Sequence, residues 1–549
     1  MIDMPLRAFG KSFGLAVEKE ILPYSLYTPA NVALGRVPTA EALAHVEEKD
    51  QAHFLANAER WGCLEGDHLD LIRYSSEYCR LDCSVLRQGY EVFRGWMLEH
   101  TQLDPDDYIS LQSLAADYML KEGCHDGVPQ LSGVPQAFIS QCVVGGRVMT
   151  NSGRKWHVKG KIADFDACSL YPSAMRRLGG YLKGAPKVLA PDQLDVEFLR
   201  RQDGYFIKIR VTGVGKRRQF PLASVVNPKT GTRDWTNELE GKELFVDKTG
   251  LEDLVRWQGV EFVVLQGYYF DEGRNDHLGQ TIQNLYDLRR RLKREKNPAQ
   301  LVFKLLMNSA YGRTILKPIE TDTVVLPEER WESYMSLNYN WIERAQKVGK
   351  RYYVKRIRGV NDHFNLAQAG VEVLSMSKRL MNEVMCLAED EGQTIYYQDT
   401  DSMHLDSDAV PKLAEAFERE YGRELVGEDM GQFHVDFDLP GACGEICAEE
   451  SLFLGKKCYL DVLGSTDKDG NALTGHHIRM KGVPTSSIRH AAEKEGIGVL
   501  ALYQRLFDGK AVSFDLTCGG QACGFKYQQD LSVRSYRDGE FTRTLRFVK

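Results

Sequence analysis

The sequence predicts an α+β fold built on more than one core, and three observations predict it. The chain has 549 residues, more than one hydrophobic core normally serves. Its apolar spacing switches repeatedly between the alternation of strands and the three-to-four-residue recurrence of helices. No internal repeat or low-complexity tract turns it into an array.

The elements follow in order. Residues 71 to 97, LIRYSSEYCRLDCSVLRQGYEVFRGWM, carry apolar side chains at helical spacing and predict one or two helices. HDGVPQLSGVP, 125 to 135, is a turn-rich linker and the first boundary. WHVKGKIADFD, 156 to 166, predicts a strand that PSAMRRLGG turns into a short helix. Residues 202 to 270 are expected to be β-rich, with YFIKIRV and VEFVVLQGYYF as strands around a loop of Gly, Pro and Lys. A helical zone runs from about 278 to 312 and an insertion-like stretch continues to about 362. Helix 366 to 391, hairpin 393 to 406, helix 410 to 421 and a mixed tail complete the chain.

Composition narrows the function classes. The net charge of -7 argues against a nucleic-acid partner only if the charge is uniform, and it is not. RRRLKREK at 289 to 296 holds six basic residues in eight, and KVGKRYYVKRIR at 347 to 358 holds six in twelve. Such runs are ordinarily solvated helix faces and count only beside other signals. The twelve cysteines lack the dense spacing of a secreted disulfide scaffold, which points to a reducing compartment. Cys443 with Cys447 and Cys518 with Cys523 are close pairs, but no neighbouring ligand pairs complete a zinc pattern. No long apolar run and no signal region at MIDMPLRAFG is present, so a soluble, intracellular protein without a membrane partner is expected, its compartment otherwise undetermined.

Chemistry enters with YQDTDS, 397 to 402, where Asp399, Thr400 and Asp401 fall in the tight connection of a hairpin. Taken alone this is as well explained by an exposed Asp-rich turn. A third carboxylate, Asp166, ends the strand before a bend at Ser169 to Pro172, where it also suits a helix N-cap. Together the three suggest a centre for two hard cations and phosphoryl transfer. In KREKNPAQLVFKLLMNSAYGR, 293 to 313, Lys304, Asn308 and Tyr311 follow i, i+4, i+7 spacing and share one helical face, though an ordinary amphipathic helix has the same look.

DACSLYPS, KLLMNSAYG and YQDTDS, in this order, resemble motifs A, B and C of the family B DNA polymerases. KCY at 457 to 459 resembles the family's Lys-x-Tyr element, VVGGR at 143 to 147 its aromatic-x-Gly-Gly element, and LSMSKRLMNEVM at 374 to 385 the helix before motif C. The long spacers resemble the insertions of the protein-primed branch of viruses, plasmids and mobile elements. The resemblance implies a right hand of palm, fingers and thumb with two insertions and a truncated exonuclease-like N-terminal domain. The implied boundaries are 1–125 exonuclease remnant, 126–215 first palm segment, 216–274 first insertion, 275–320 fingers, 321–362 second insertion, 363–450 second palm segment and 451–549 thumb.

Residue roles are implied in the same way. Asp166 and Asp401 would be the principal ligands of two Mg2+ ions, or of Mn2+, with Asp399 a weaker partner. Leu170 would offer backbone to phosphates and Tyr171 would exclude a 2′-hydroxyl. Lys304, Asn308 and Tyr311 would take the nucleotide, with Lys296 or Lys293 as a second phosphate contact. Gly145 and Gly146 would admit the template backbone, and Lys457 and Tyr459 would hold the primer strand. Template-primer DNA, deoxynucleoside triphosphates and a priming terminal protein are the implied partners.

Two departures stand out. Val143 replaces the aromatic residue of the Gly-Gly element. YCRLDCSVL, 78 to 86, resembles the third exonuclease motif through Tyr78 and Asp82, yet the Asp-x-Glu strand and the Asn-x-x-Phe-Asp segment are not upstream, and Asp195 with Glu197 is in the wrong order. No proofreading is expected from this chain alone. The expected function is template-directed DNA synthesis. The alternative is an inactive DNA-binding remnant, and a reverse transcriptase or RNA polymerase is disfavoured by Tyr171 and the form of motif C.

Overall fold

The computed structural model describes residues 2–548 apart from 3, 317–320, 360–365, 518–524, 528–532 and 536–538. The chain divides into two compact units, one of residues 1–118 and 284–309, the other of residues 119–283 and 310–549.

The first unit is organised by one long helix, Leu71–Thr101, where the sequence left open one or two. Asp70 caps it by accepting from the Arg73 amide at 2.9 Å. Tyr74, Tyr78, Val85, Phe93 and Met97 form its buried stripe, and the rings of Phe54 and Trp61 pack at a tilt against Tyr74. The helical zone at 278 to 312 is two helices, His277–Arg294 and Gln300–Ser309. Lys296 in the left-handed region (φ 53°) and Pro298 break it. Helix Gln300–Ser309 is amphipathic: Val302, Phe303, Leu306 and Met307 are buried while Lys304 and Asn308 are exposed.

The second unit is built on an eight-stranded antiparallel sheet: β1 (Val148–Thr150), β2 (Trp156–Ala167), β3 (Ile395–Asp399), β4 (Ser402–Asp406), β5 (Phe433–Val435), β6 (Cys447–Gly455), β7 (Cys458–Thr466) and β8 (Ala472–Met480). Their spatial order is β8-β7-β6-β2-β4-β3-β1, with β5 also paired to β2. In a flat sheet β4 and β7 would lie three spacings, about 14 Å, apart. Here His404 of β4 reaches Asp461 of β7 at 3.3 Å, so the sheet curls upon one face. Tyr397, His404, Phe453 and Tyr459 fill the curl, with ring centroids as close as 4.8 Å.

Helix Ala367–Asp390 is buried along nearly its whole length. Arg177 of helix Leu170–Leu178 binds its buried Glu383 with two hydrogen bonds. A four-stranded sheet contains the two expected strands, Gly204–Val214 and Val260–Phe270. Helix Lys248–Gln258 lies between them in sequence, and the sequence reading passed over it. Its signals were present: an Asp247 cap, Leu251, Leu254 and Trp257 at helical spacing, and Gly259 at φ 56°. The basic run at 347 to 358 is a β-hairpin, Ile342–Val348 with Arg351–Ile357, rather than a helix face.

Candidate active site

Strand β2 carries Asp164 and Asp166 on one face, because side chains two residues apart point the same way. Antiparallel β4 sets Ser402 opposite Asp166 and His404 opposite Asp164. Asp399 pairs with Ser402, which leaves Thr400 and Asp401 as a two-residue turn. Thr400 has φ of 50°, the left-handed conformation such hairpins require. Its N–H donates to the Arg147 carbonyl at 3.0 Å, and the Ala167 N–H donates to the Asp401 carbonyl at 2.9 Å. Backbone bonds thus hold the acidic turn against the end of β2.

Beneath the turn lies Arg147, whose guanidinium is buried and donates to Gln398 at 2.5 Å, Asn382 at 3.0 Å and the carbonyls of Phe220 and Pro221 at 3.2 and 2.9 Å. Burial lowers its pKa to about 10, which leaves it charged at neutral pH. A Cβ on Gly146 would come within 2.6 Å of Thr400 Cγ2, so any side chain there pushes on the acidic turn. Gly145 faces open space.

The turn and β2 border a cleft of about 420 Å3 lined by five carboxylates, Asp164, Asp166, Asp399, Asp401 and Asp436, and by the cations Lys457 and Arg479. Asp399 accepts from Lys457 Nζ at 2.7 Å and from the Tyr397 hydroxyl at 3.3 Å. Asp166 is different: loss of water, then the charges of Asp401, Asp436 and Asp164, push its carboxyl up to about 8. Asp401 is also raised, by desolvation and by Asp399. An all-oxygen set with uncompensated charge is the donor chemistry that hard divalent cations take, so these residues fit Mg2+ or Mn2+.

Helix Leu170–Leu178 begins beside this acid pair. Ser169 adopts φ of 52° and gives no side-chain cap, so the first-turn amides, those of Leu170 and Tyr171 among them, have no intrahelical acceptor. Leu170 is itself buried. The Tyr171 ring stacks on Tyr311, centroids 4.2 Å apart at 18°, and burial raises its hydroxyl pKa. The expected single face of Lys304, Asn308 and Tyr311 is therefore only partly realised. The helix ends at Ser309, and Tyr311 lies beyond it, against Tyr171. Lys304 and Asn308 belong to the first unit, as does Lys296, which sits in the turn after its helix with its N–H on the Lys293 carbonyl at 3.1 Å. Lys457 takes φ of 54° in the β6–β7 turn, and its N–H donates to the Tyr397 hydroxyl at 2.9 Å. Tyr459 lines the cleft, with nearly all of its side chain buried.

Sequence reasoning passed over Asp164, Asp436, Arg147, His404, His477 and Arg479. Strand alternation in DFD could have found Asp164. Arg147 ends the VVGGR element and His404 follows Asp401 by three residues, but their partners, like Asp436, His477 and Arg479, come from chain-distant segments. In the first unit, Asp82 Oδ2 lies 2.6 Å from Lys19 Nζ, and the Tyr78 hydroxyl contacts both Lys19 and Tyr24. Cys443 and Cys447 are free thiols, and Cys518 and Cys523 lie outside the described residues.

Residues 1–369 match the DNA polymerases of type B, organellar and viral. The chain belongs to that family. Two curated relatives are each described as a probable DNA polymerase. That of Neurospora intermedia is 24% identical over 88% of this chain and 47% of its own length. That of Ascobolus immersus is 23% identical over 75% of this chain and 33% of its own length. The chain thus spans between a third and about half of these relatives. Among solved structures the fold is that of phi29 DNA polymerase. The orthorhombic crystal form superposes with a TM-score of 0.60 at 15% identity, over 99% of this chain and 78% of that one. The complex of that polymerase with primer-template DNA and incoming nucleotides gives 0.61 over the same shares. The α+β, right-hand class expected from the motifs is the class found. Among the described residues no helix is long and apolar enough to cross a membrane.

Proposed function

We propose that this chain is a template-directed DNA polymerase, adding deoxynucleotides to a primer 3′-hydroxyl in the replication of a virus or mobile element. One observation carries the reading. Two strands from distant parts of the chain bring Asp166 and Asp401 together with no cation at ion-pair distance among the described residues, while the adjacent Asp399 has Lys457. Repulsion of that kind persists only where the fold enforces it, and such sites are candidates for function.

Asp166 and Asp401 would hold two divalent cations, with Asp399 supporting through its lysine. Bound there, the cations would supply charge for the attacking hydroxyl and the departing pyrophosphate. The chain's own residues do the rest. The uncapped amides at Leu170 and Tyr171 donate to phosphate oxygens. The Tyr171 ring, braced by Tyr311, fills the space a 2′-hydroxyl would need. Lys457 and Tyr459 meet the primer strand and the Gly145–Gly146 backbone meets the template. Lys304, Asn308 and Lys296 are assigned to the triphosphate on the motif match alone. The phi29 complex contains primer-template DNA and nucleotides, and we extend those partners to this chain. A priming protein is added on the resemblance of its long spacers to the protein-primed branch.

Primer extension in Mg2+ by the wild-type chain and by Asp401→Asn tests the reading. We expect extension by the wild type and a loss on the order of 1000-fold in the variant, about 4 kcal/mol of barrier. Equal extension by both refutes the assignment of Asp401, and none by either favours the inactive remnant. Tyr171→Ala is expected to lower discrimination against ribonucleotides about 100-fold, read as the ratio of the two kcat/KM values.

A further inference from the structure

Beside the acid cleft the curled sheet closes on a second cluster, which the proposed DNA synthesis does not use. His404 is fully buried and its Nδ1 has no hydrogen-bond partner. Asp164 Oδ1 lacks one too and lies 3.6 Å away, too far for a hydrogen bond. His477 reaches the same space from β8, and one donor atom from each of Asp164, His404 and His477 lies within 4.8 Å of the other two. Behind them, buried Asp461 sets one oxygen 3.3 Å from His404 Nε2 and 3.1 Å from His477 Nδ1, and its second oxygen accepts from Ser451 at 2.7 Å. A carboxylate shared in this way keeps the proton of each ring on the nitrogen facing it. His404 Nδ1 and His477 Nε2 then carry the lone pairs, as in imidazoles oriented for a metal.

We propose that Asp164, His404 and His477 form a site for one borderline divalent cation of the zinc class, oriented by Asp461 and open to the cleft at its fourth position. Two imidazoles and a carboxylate suit Zn2+ or Co2+ far better than Mg2+. The site is therefore chemically distinct from the all-oxygen set of Asp166 and Asp401. Asp164 and His477 both line the cleft, which supplies the open position. The rival occupant is a proton. Burial alone would strip His404 of it, but Asp164 and Asp461 overcome that and hold the ring's pKa at about 9. A cation would displace this proton and tie β8 to β2 and β4. The hairpin after Lys457 and Tyr459 would thereby be stapled to the strands that present the acids.

The test uses the full 549-residue chain, stripped by chelator, equilibrated with Zn2+ or Co2+ in excess Mg2+ and dialysed against Mg2+ alone. We expect one Zn2+ per chain by elemental analysis and the visible absorption of a low-coordinate Co2+ site. His477→Ala, at a side chain 19% exposed and so tolerant of change, should retain at least tenfold less metal. Asp164→Asn, which keeps size and shape, should do the same, whereas Asp166→Asn should retain it. An empty wild-type chain overturns the proposal in favour of the proton. Unchanged retention in His477→Ala and Asp164→Asn, or loss in Asp166→Asn, overturns it by placing the metal elsewhere.

Discussion

Asp82 and Asp399 each have a lysine, whereas among the described residues Asp166 and Asp401 have no cation within ion-pair distance. In the first unit Lys19 lies 2.6 Å from Asp82, and its side chain is only 23% exposed. In the cleft Lys457 lies 2.7 Å from Asp399 and is 47% exposed. The first pair packs with Tyr78 and Tyr24, its charge met although Asp82 Oδ1 has no hydrogen-bond partner among the described residues. The second stands at the rim of a cleft whose remaining acids repel one another. An acid with its counter-charge needs nothing further, while acids held together by strand register against their own repulsion are built to receive something.

The sharpest way to break this contrast is to remove each lysine in turn. Lys457→Met leaves Asp399 to add its charge to Asp401, and it removes a rim cation from the proposed primer path. We expect primer extension to fall ten- to a hundredfold, about 1.4 to 2.7 kcal/mol. Steady-state extension against Mg2+ concentration separates lost primer grip from altered cation demand. A Lys457→Met chain as active as the wild type would mean that the cleft lysine is as passive as Lys19.

How much of this was legible depends on how local each signal is. The acidic hairpin and the strand ending at Asp166 were readable, because alternation and turn residues are written in consecutive positions, but Asp399, expected in the turn with Thr400 and Asp401, is the last residue of β3. Helix Val410–Tyr421 matches its expected span for the same reason. The break at Lys296 was missed because apolar spacing continues across it, although Pro298 marks the spot. Arg147 stands in the VVGGR element, but its buried role could not be found. Its partners are Gln398, Asn382 and two carbonyls near residue 220, and only the folded chain joins them. The pairing of Asp399 with Lys457 likewise spans 58 residues and depends on a left-handed turn at Lys457.

Asp166 sharpens the comparison through pH. Its carboxyl is raised from the ordinary 3.8 to about 8, so the folded chain holds that proton more tightly than the unfolded one. This stabilisation is present at low pH and is lost as pH rises from about 4 through about 8. Above that window, in chelator, Asp166→Asn should be the more stable protein, by about 2 kcal/mol once solvent screening is allowed for. The melting midpoint at pH 8.5 should rise by several degrees over the wild type, with little difference at pH 4.5. Mg2+ should close the gap by stabilising the wild type alone. A wild type that melts as high as the variant in chelator at pH 8.5 would show that the acid pair is not strained.

The smallest effect belongs to the closed pair. Lys19→Met removes the cation paired with a part-buried carboxylate whose Oδ1, on Asp82, already lacks a hydrogen-bond partner among the described residues. The cost should therefore be local, about 1 kcal/mol, read as a lower denaturant midpoint. Asp82→Asn keeps the shape and gives up the charge, so it should cost less. Combining it with Lys19→Met should cost less than the sum, as for any two groups in direct contact. Primer extension by either single variant should stay within about twofold of the wild type, because neither change touches a residue of the acid cleft. The pair and the cleft lie in different compact units. A tenfold fall in extension with Lys19→Met, at unchanged melting temperature, would show that this pair serves DNA synthesis directly and would erase the distinction between satisfied and unsatisfied acids.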